Sequence, residues 1–282
     1  MNNFFQTALI LLTLTVIILF LGWMIAGGNG VLVATAATVL MFQSVPKTAP
    51  ASLLRSVRAR PLERHHFPRL HSLSAEIARR AGLGAAPNLY VMPSRVMSAF
   101  AVGNRDDASI VVTDSLLRNL NPREMAGILG HETAHIRNND LYVMAVAAMA
   151  SRITIVLSMV GQVLLLLFLP ALLANSIHLS LAPFLILVLA PVITMLLQLA
   201  LSRVREYQAD LVGVRLAGDS HGLISALRKL EEQQSGSWRQ FILTPWQRPH
   251  SSLLQTHPPT TSRIERLQTM KQPFILSVPH PS

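Results

Sequence analysis

The sequence predicts a mostly helical α+β integral membrane protein, with about four transmembrane helices and a soluble domain that carries a small β-sheet. Three observations predict it. Of 282 residues, 51% are hydrophobic and only 13% are charged, where an ordinary soluble domain carries about a quarter charged. The apolar residues are gathered into uncharged blocks of membrane-spanning length. Between those blocks lie segments with soluble patterning: helical spacing at 70–81, short β-branched runs between 88 and 113, and a capped helix start at Asn121.

Residues 4–26 contain no charge and are long enough to cross a bilayer. A cleaved signal peptide fits poorly, because no basic region precedes the run and the run is too long. Gly27-Gly28-Asn29-Gly30 reads as a turn and residues 31–45 as a returning arm, so 1–46 forms a transmembrane hairpin. At about 1.5 Å per residue the second arm only just crosses the hydrocarbon. Residues 46–61 read as a basic linker. Leu70, Leu73, Ile77, Ala78 and Ala81 then recur at helical spacing, and Gly82 and Gly84 stop that helix. His65, His66 and His71 lie beside it; they read as surface histidines, with a second metal site as the alternative.

Residues 88–92, 99–102 and 109–113 read as strands, the last two as a hairpin around the polar residues 103–107. An edge strand made of Ala99, Phe100, Ala101, Val102 and Gly103 can hold an extended peptide by backbone hydrogen bonds; a plain structural sheet has the same pattern. Asn121 is placed to cap a helix, Pro122 suits its first position, and Glu124 falls at the capping-box position. That helix is expected to run to about Asn139, with Met125, Ile128 and Leu129 on its apolar face.

Residues 141–151 are apolar but end at Arg152. A span starting at 141 would bury Arg152 in hydrocarbon at about 2.5–3.5 kcal/mol. The reading therefore places Arg152 at the interface, 141–151 in the soluble domain, and spans at 153–174 and 181–201, with Pro183 and Pro191 as tolerated kinks. The expected division is 1–46 hairpin, 47–152 first part of the soluble domain, 153–201 second hairpin, 202–270 second part of the domain, and 271–282 a loose tail.

Net charge is +10. Thirteen Lys and Arg lie in 46–140, one at Arg152 and ten after residue 202, with none in the loops 27–30 and 175–180. Four spans put every basic segment on one side, and the positive-inside rule makes that side the cytoplasm. The expected location is a bacterial-type inner membrane, multi-pass, with both termini and the soluble domain cytoplasmic. The basic residues have no aromatic interleaving and no nucleic-acid module, so they point to lipid headgroups and not to nucleic acid. There is no Cys, which leaves His, Asp and Glu to hold any metal.

The predicted helix after Asn121 contains His131-Glu132-Thr133-Ala134-His135. Two His four apart share one helix face and can reach one tetrahedral zinc, with Glu132 placed to take a proton from the attacking water. With ten His and eight Glu in the chain, chance supplies the pattern in roughly one such sequence in a hundred. A catalytic zinc needs a third protein ligand. Directly after the last span come Glu206 and Asp210, four apart on one predicted helix face. Glu206 is assigned to the metal and Asp210 to the free N–H of His131, the outer partner such ligands use.

HETAH, a membrane segment, SRVREYQAD at 202–210, then Thr256-His257-Pro258-Pro259 and Arg263-Ile264-Glu265-Arg266-Leu267, in that order, resemble the HtpX family of membrane zinc endopeptidases. That family is a branch of the gluzincins, which also include the CAAX prenyl proteases. The resemblance covers about residues 1–270. It implies a gluzincin-type domain and one zinc per chain held by His131, His135 and Glu206, with Glu132 as general base. It also implies protein substrates that are mainly membrane proteins, cut in their cytosolic segments as part of quality control. The THPP segment is implied near the site, with His257 either stabilising the oxyanion or serving as a turn residue; Tyr207 and Arg203 are further candidates. One departure stands out: relatives usually carry Asn-Ala-Phe-Ala where this chain has Ser98-Ala99-Phe100-Ala101, so a substrate-anchoring amide at that position is lost.

Competing readings are weighed against the same residues. A non-catalytic zinc-binding scaffold has no need of Glu132. A metal transporter wants ionisable groups within its spans, and 4–45 and 153–201 contain no charge, with His178 falling in a loop. Four spans are too few for the larger prenyl protease.

Overall fold

The computed structural model describes residues 3–44, 51–170, 181–243 and 260–269. The chain forms two units, residues 1–45 with 142–204, and residues 46–141 with 205–282.

The first unit is helical and apolar. Helix α1 (Asn3–Ser44) reverses at Ala26 and Gly27, where Gly27 takes φ +57°. Its two arms fold back so closely that a Cβ on Gly22 would lie 2.5 Å from the Gly30 carbonyl. The expected first two spans are thus arms of one element, and the reversal falls just before the expected turn, with helix resuming through Gly28 to Gly30. Three helical stretches are long and apolar enough to cross a membrane: Phe5–Leu40, Asp140–Leu167 and Leu185–Ala217. They lie in α1, α6 (Asp140–Leu167) and α7 (Leu181–Ala217). Residues 142–151, expected in the soluble domain, belong to this unit instead. Val146, Ala147 and Ala150 pack with Leu14, Ile18 and Ala34, and α6 continues through Arg152, whose side chain is exposed. The apolar stripe that precedes Arg152 matches α1, so packing sets the boundary and not the charge.

Pro191 inside α7 removes the N–H that would serve the Leu187 carbonyl one turn earlier. Both hydrogen bonds to that carbonyl come from α6: Ser158 Oγ donates to it, and Gln162 Nε2 donates at 3.3 Å. A proline kink in this setting is repaired by a neighbouring helix.

The second unit holds a four-stranded mixed sheet in the order β1-β2-β4-β3. Its strands are β1 (Arg60–Pro61), β2 (Asn88–Met92), β3 (Ala99–Gly103) and β4 (Ala108–Thr113). β4 is parallel to β2 and antiparallel to β3, with Ala101 opposite Ile110. β4 is buried along its whole length, and each fully buried Ile or Val there contributes about 1.5–3 kcal/mol. Three short elements fall where none was expected. Helix α2 (Ala51–Ser56) and β1 form within the basic linker, and α4 (Asp114–Asn119) follows β4 directly.

Helix α3 (Pro68–Ala81) buries Ile77, Ala78 and Ala81 and ends at Gly82 with φ +69°, as its spacing predicts. Helix α5 (Pro122–Arg137) carries the full capping box: the Asn121 side chain accepts from Arg123 N and Glu124 N, and Glu124 accepts from Asn121 N. Such a cap contributes about 1 kcal/mol. The unit is completed by α8 (Ser220–Leu243) and α9 (Thr260–Thr269). Packing centres on α5, which touches α3, β3, β4 and α8.

Candidate metal centre

Helix α5 presents His131, Glu132 and His135 from one turn, all in its buried part or at its edge. What brings α7 beside them is a glycine contact. A Cβ on Gly213 would lie 2.7 Å from His131 N, and one on Gly130 would lie 2.6 Å from Gly213 O. Any side chain there would force the two backbones apart. With both positions glycine, the α7 residues Glu206 and Asp210 reach the histidine pair.

The donor atoms converge. His131 Nε2 and His135 Nε2 are 3.1 Å apart, and each is 3.5 Å from an oxygen of Glu206. Four donors at about 2.0–2.1 Å from a tetrahedral metal stand roughly 3.3–3.5 Å from one another. Three side chains already stand at that spacing, and the two-imidazole, one-carboxylate set suits a divalent transition metal. His131, His135 and Glu206 could therefore hold one ion. Glu132 is buried on the same turn.

Behind each histidine stands a carboxylate. His131 Nδ1 is 3.0 Å from Asp210 Oδ1, and His135 Nδ1 is 2.9 Å from Asp140 Oδ2. Each carboxylate in turn meets an arginine. Arg263 donates to both oxygens of Asp210, at 2.6 and 2.8 Å. Arg205 Nη1 donates to Asp140 Oδ1 at 2.8 Å. Arg263 Nη1 also lies 3.5 Å from Glu206 Oε2.

These neighbours fix the electrostatics. Burial pushes the His135 imidazole towards the neutral form, but the Asp140 and Glu206 carboxylates outweigh it and raise its pKa to about 10. Burial acts the same way on His131, and Asp210 and Glu206 again prevail, so its pKa is raised. Burial likewise opposes the Arg263 charge, and Asp210 more than restores it.

Other residues singled out by the sequence fall as follows. Ala99, Phe100, Ala101, Val102 and Gly103 form β3, an edge strand that pairs with β4 alone among the described residues and packs against α5. The backbone of Ser98 is held by Thr113, which donates N–H to Ser98 O and accepts Ser98 N–H on its hydroxyl. The loop before it is tied to α8 by Gln233, which donates to Arg95 O at 2.8 Å. His257 and the THPP segment lie outside the described residues, as does the tail after 270. Arg203 is exposed. Tyr207 docks α9: its hydroxyl meets Ser262 Oγ at 3.2 Å and its ring lies under the Arg266 guanidinium. Glu63, His65 and His66 come together on the surface, fully exposed, while His71 Nε2 meets the Leu62 carbonyl at 2.7 Å.

Sequence reasoning missed Asp140, Arg205 and Arg263. Arg263 stands inside the RIERL motif already quoted. Arg205 lies within SRVREYQAD, and the structure buries it. Asp140 follows His135 by five residues, a spacing that shows no helical neighbourhood.

The model of peptidase family M48 matches residues 64–271. The chain belongs to peptidase family M48. Full-length relatives agree with that assignment. A "Protease HtpX homolog" of Syntrophobacter fumaroxidans is 32% identical over 289 residues, 96% of this chain and 100% of its own. Its namesake in Pyrococcus furiosus is 32% identical over 93% of this chain and 94% of its own length. "Protease HtpX" of Legionella pneumophila is 31% identical over 96% and 100%. Among solved structures, the crystal structure of S. mikatae Ste24p resembles this fold with a TM-score of 0.51 at 19% identity. That match covers 84% of this chain but only 57% of the other, so the likeness is one of fold. As a member of M48, this chain is an integral membrane metalloprotease, and its substrates are proteins.

Proposed function

We propose that the chain is a zinc endopeptidase that cuts cytosolic segments of membrane proteins close to the bilayer, in membrane protein quality control. The observation that carries this reading is that a single helix, α7, begins in an apolar stretch and continues unbroken to Glu206, the third donor. Glu206 stands five residues beyond the expected span 181–201, about 7–8 Å along a helix. A donor so few residues past an apolar stretch of the chain supports substrates whose cleaved segments lie beside a membrane span. The cytoplasmic orientation is supported by the Lys and Arg distribution.

His131, His135 and Glu206 would hold the zinc. When bound, it supplies Lewis-acid polarisation of the scissile carbonyl and acidification of water. The residues of the chain do the rest. Asp210 and Asp140 accept hydrogen bonds from the Nδ1–H groups, which leaves both Nε2 lone pairs facing the metal position. Glu132 takes the proton of the attacking water and delivers it to the leaving amine. A substrate strand adds to the edge of β3 away from β4, so backbone hydrogen bonds hold the peptide whatever its sequence. That mode does not depend on the side chain at 98, where Ser replaces the usual Asn. His257, three residues before α9, is assigned to the oxyanion on the family resemblance.

The test uses the protein in liposomes with single-span reporters. Their cytosolic tails carry one cleavable sequence either close to the membrane or about thirty residues away. Zinc-dependent cleavage of the near sequence, absent in Glu132→Gln, is the expected result. Equal cleavage of near and far sequences would remove the membrane-proximal reading and leave the peptidase in place.

A further inference from the structure

The His135 side of the centre is built from residues that lie outside the three metal donors and the general base. Helix α5 ends at Arg137, and the chain turns through Asn138 and Asn139, the latter at φ +54°. Asn tolerates that left-handed conformation better than most residues. The turn makes Asp140 the first residue of α6 and sets its carboxylate 2.9 Å from His135 Nδ1. Asp140 is 1% exposed, so no bulk water serves its second oxygen. Arg205 does, at 2.8 Å, and is itself buried. Each oxygen of one carboxylate therefore has a different partner, and those partners sit on α5 and α7. Arg205 directly precedes Glu206 in the chain.

We propose that Asp140 and Arg205 act as a positioning pair for the metal centre, holding His135 and Glu206 at the separation a tetrahedral ion needs. The inference rests on the metal reading above. The Asp140 carboxylate fixes the rotation and tautomer of the His135 ring. The Arg205 contact fixes the turn of α7 that carries Glu206. A single ion pair thus sets two of the three donors. The third, His131, has its own pair in Asp210 and Arg263, carried in part by the separate helix α9. Without Arg205, the buried Asp140 carboxylate loses the partner of its Oδ1 oxygen and nothing ties it to α7. Without Asp140, the ring turns freely about its own bonds.

The experiment uses full-length protein in detergent, in a His65→Ala/His66→Ala background so that the exposed cluster takes up no metal. Zinc affinity is measured by competition with a chromophoric chelator, and the visible spectrum is recorded with cobalt in place of zinc. Asp140→Ala and Arg205→Met are expected to bind zinc roughly 10–100-fold more weakly, with altered cobalt bands at saturation. Arg205→Lys should recover part of the loss. Asp140→Asn, which is isosteric, gives the same comparison if the Ala variant does not fold. Parental affinity and parental cobalt spectra in Asp140→Asn and Arg205→Met would overturn the proposal. Weaker binding with an unchanged cobalt spectrum and no rescue by Lys would also overturn it, since the pair would then serve folding alone. A parent protein that takes up no zinc would instead sink the metal reading, a result distinct from a parent that binds and variants that bind equally.

Discussion

The two units bury opposite kinds of polar group. Among the described residues, the apolar unit buries only hydroxyls: Thr7, Thr38, Ser151, Thr154, Ser158, Thr194 and Ser202. Thr38, Ser151 and Thr154 each donate to the carbonyl four residues back in their own helix. The other unit also buries charges, among them Glu124, Asp140, Arg205, Asp210 and Arg263, and pairs these over long sequence separations. Their surfaces differ in the opposite sense. Phe67 aside, every exposed large hydrophobic side chain among the described residues belongs to the apolar unit. The lesson is about solvent. Where the surroundings are lipid, exposed Leu and Phe cost nothing and a buried charge has no refuge, so polar atoms are satisfied within a helix or by the helix beside it. Where the surroundings are water, the interior can hold charges if each one is paired, and those pairs are what a metal site is made from.

Several measurements would break or sharpen this contrast. The largest effect is expected from Glu132→Gln, which should lower peptidase activity by about 10²–10⁴-fold while zinc content stays at the parental level. Loss of metal along with activity would mean that this buried charge is structural. Next is a pair of glycine substitutions. Gly213→Val meets His131 N within 2.7 Å and should cost about 1–3 kcal/mol by overpacking, together with metal affinity. Gly28→Ala in α1 meets nothing within 4 Å and should leave both unchanged, as thermal melts and zinc titration would report.

A test inside the apolar unit follows. Ser158→Ala with Gln162→Leu orphans the Leu187 carbonyl and should cost about 1–3 kcal/mol in detergent unfolding. Adding Pro191→Ala restores an N–H within α7 and should return most of that loss; no recovery would show that the carbonyl was not the cause.

The smallest effect is one of pH. Burial raises the Glu124 carboxyl, but bonds from Lys229, Ser225 and Asn121 N–H outweigh it and hold its pKa below the usual carboxylate value. A pKa lower in the folded state means that the stabilisation is fully present above about pH 4.5 and is lost as pH falls through the folded value. Glu124→Gln should therefore lower stability at pH 7 by about 1 kcal/mol and weaken its fall on acidification. Parallel acid unfolding of the two proteins would contradict this.

Much of the fold was legible because its signals are local. The cap at Asn121, the glycine stop after α3, the β3–β4 hairpin and the uncharged blocks each announce themselves within a few residues, and the structure has them all. The charge at Arg152 does not mark where the units divide: Val146, Ala147 and Ala150 pack with α1, and that packing extends the apolar unit to residue 142. Helix spacing also paired His131 with His135 and Glu206 with Asp210, since residues four apart share a face. Resemblance alone could add His257.

By itself, then, the sequence determined which segments are apolar, which of the longer ones are helices and strands, and which donor types stand at metal-binding spacing, because each of these is decided by neighbours along the chain. Only the tertiary structure decided who partners the buried charges. Asp140 and Arg205 are 65 residues apart, Asp210 and Arg263 are 53, and Glu124 and Ser225 are 101. No periodicity links such positions; they meet because glycine contacts and apolar packing bring the helix backbones together, and a buried charge is kept only where an opposite one arrives.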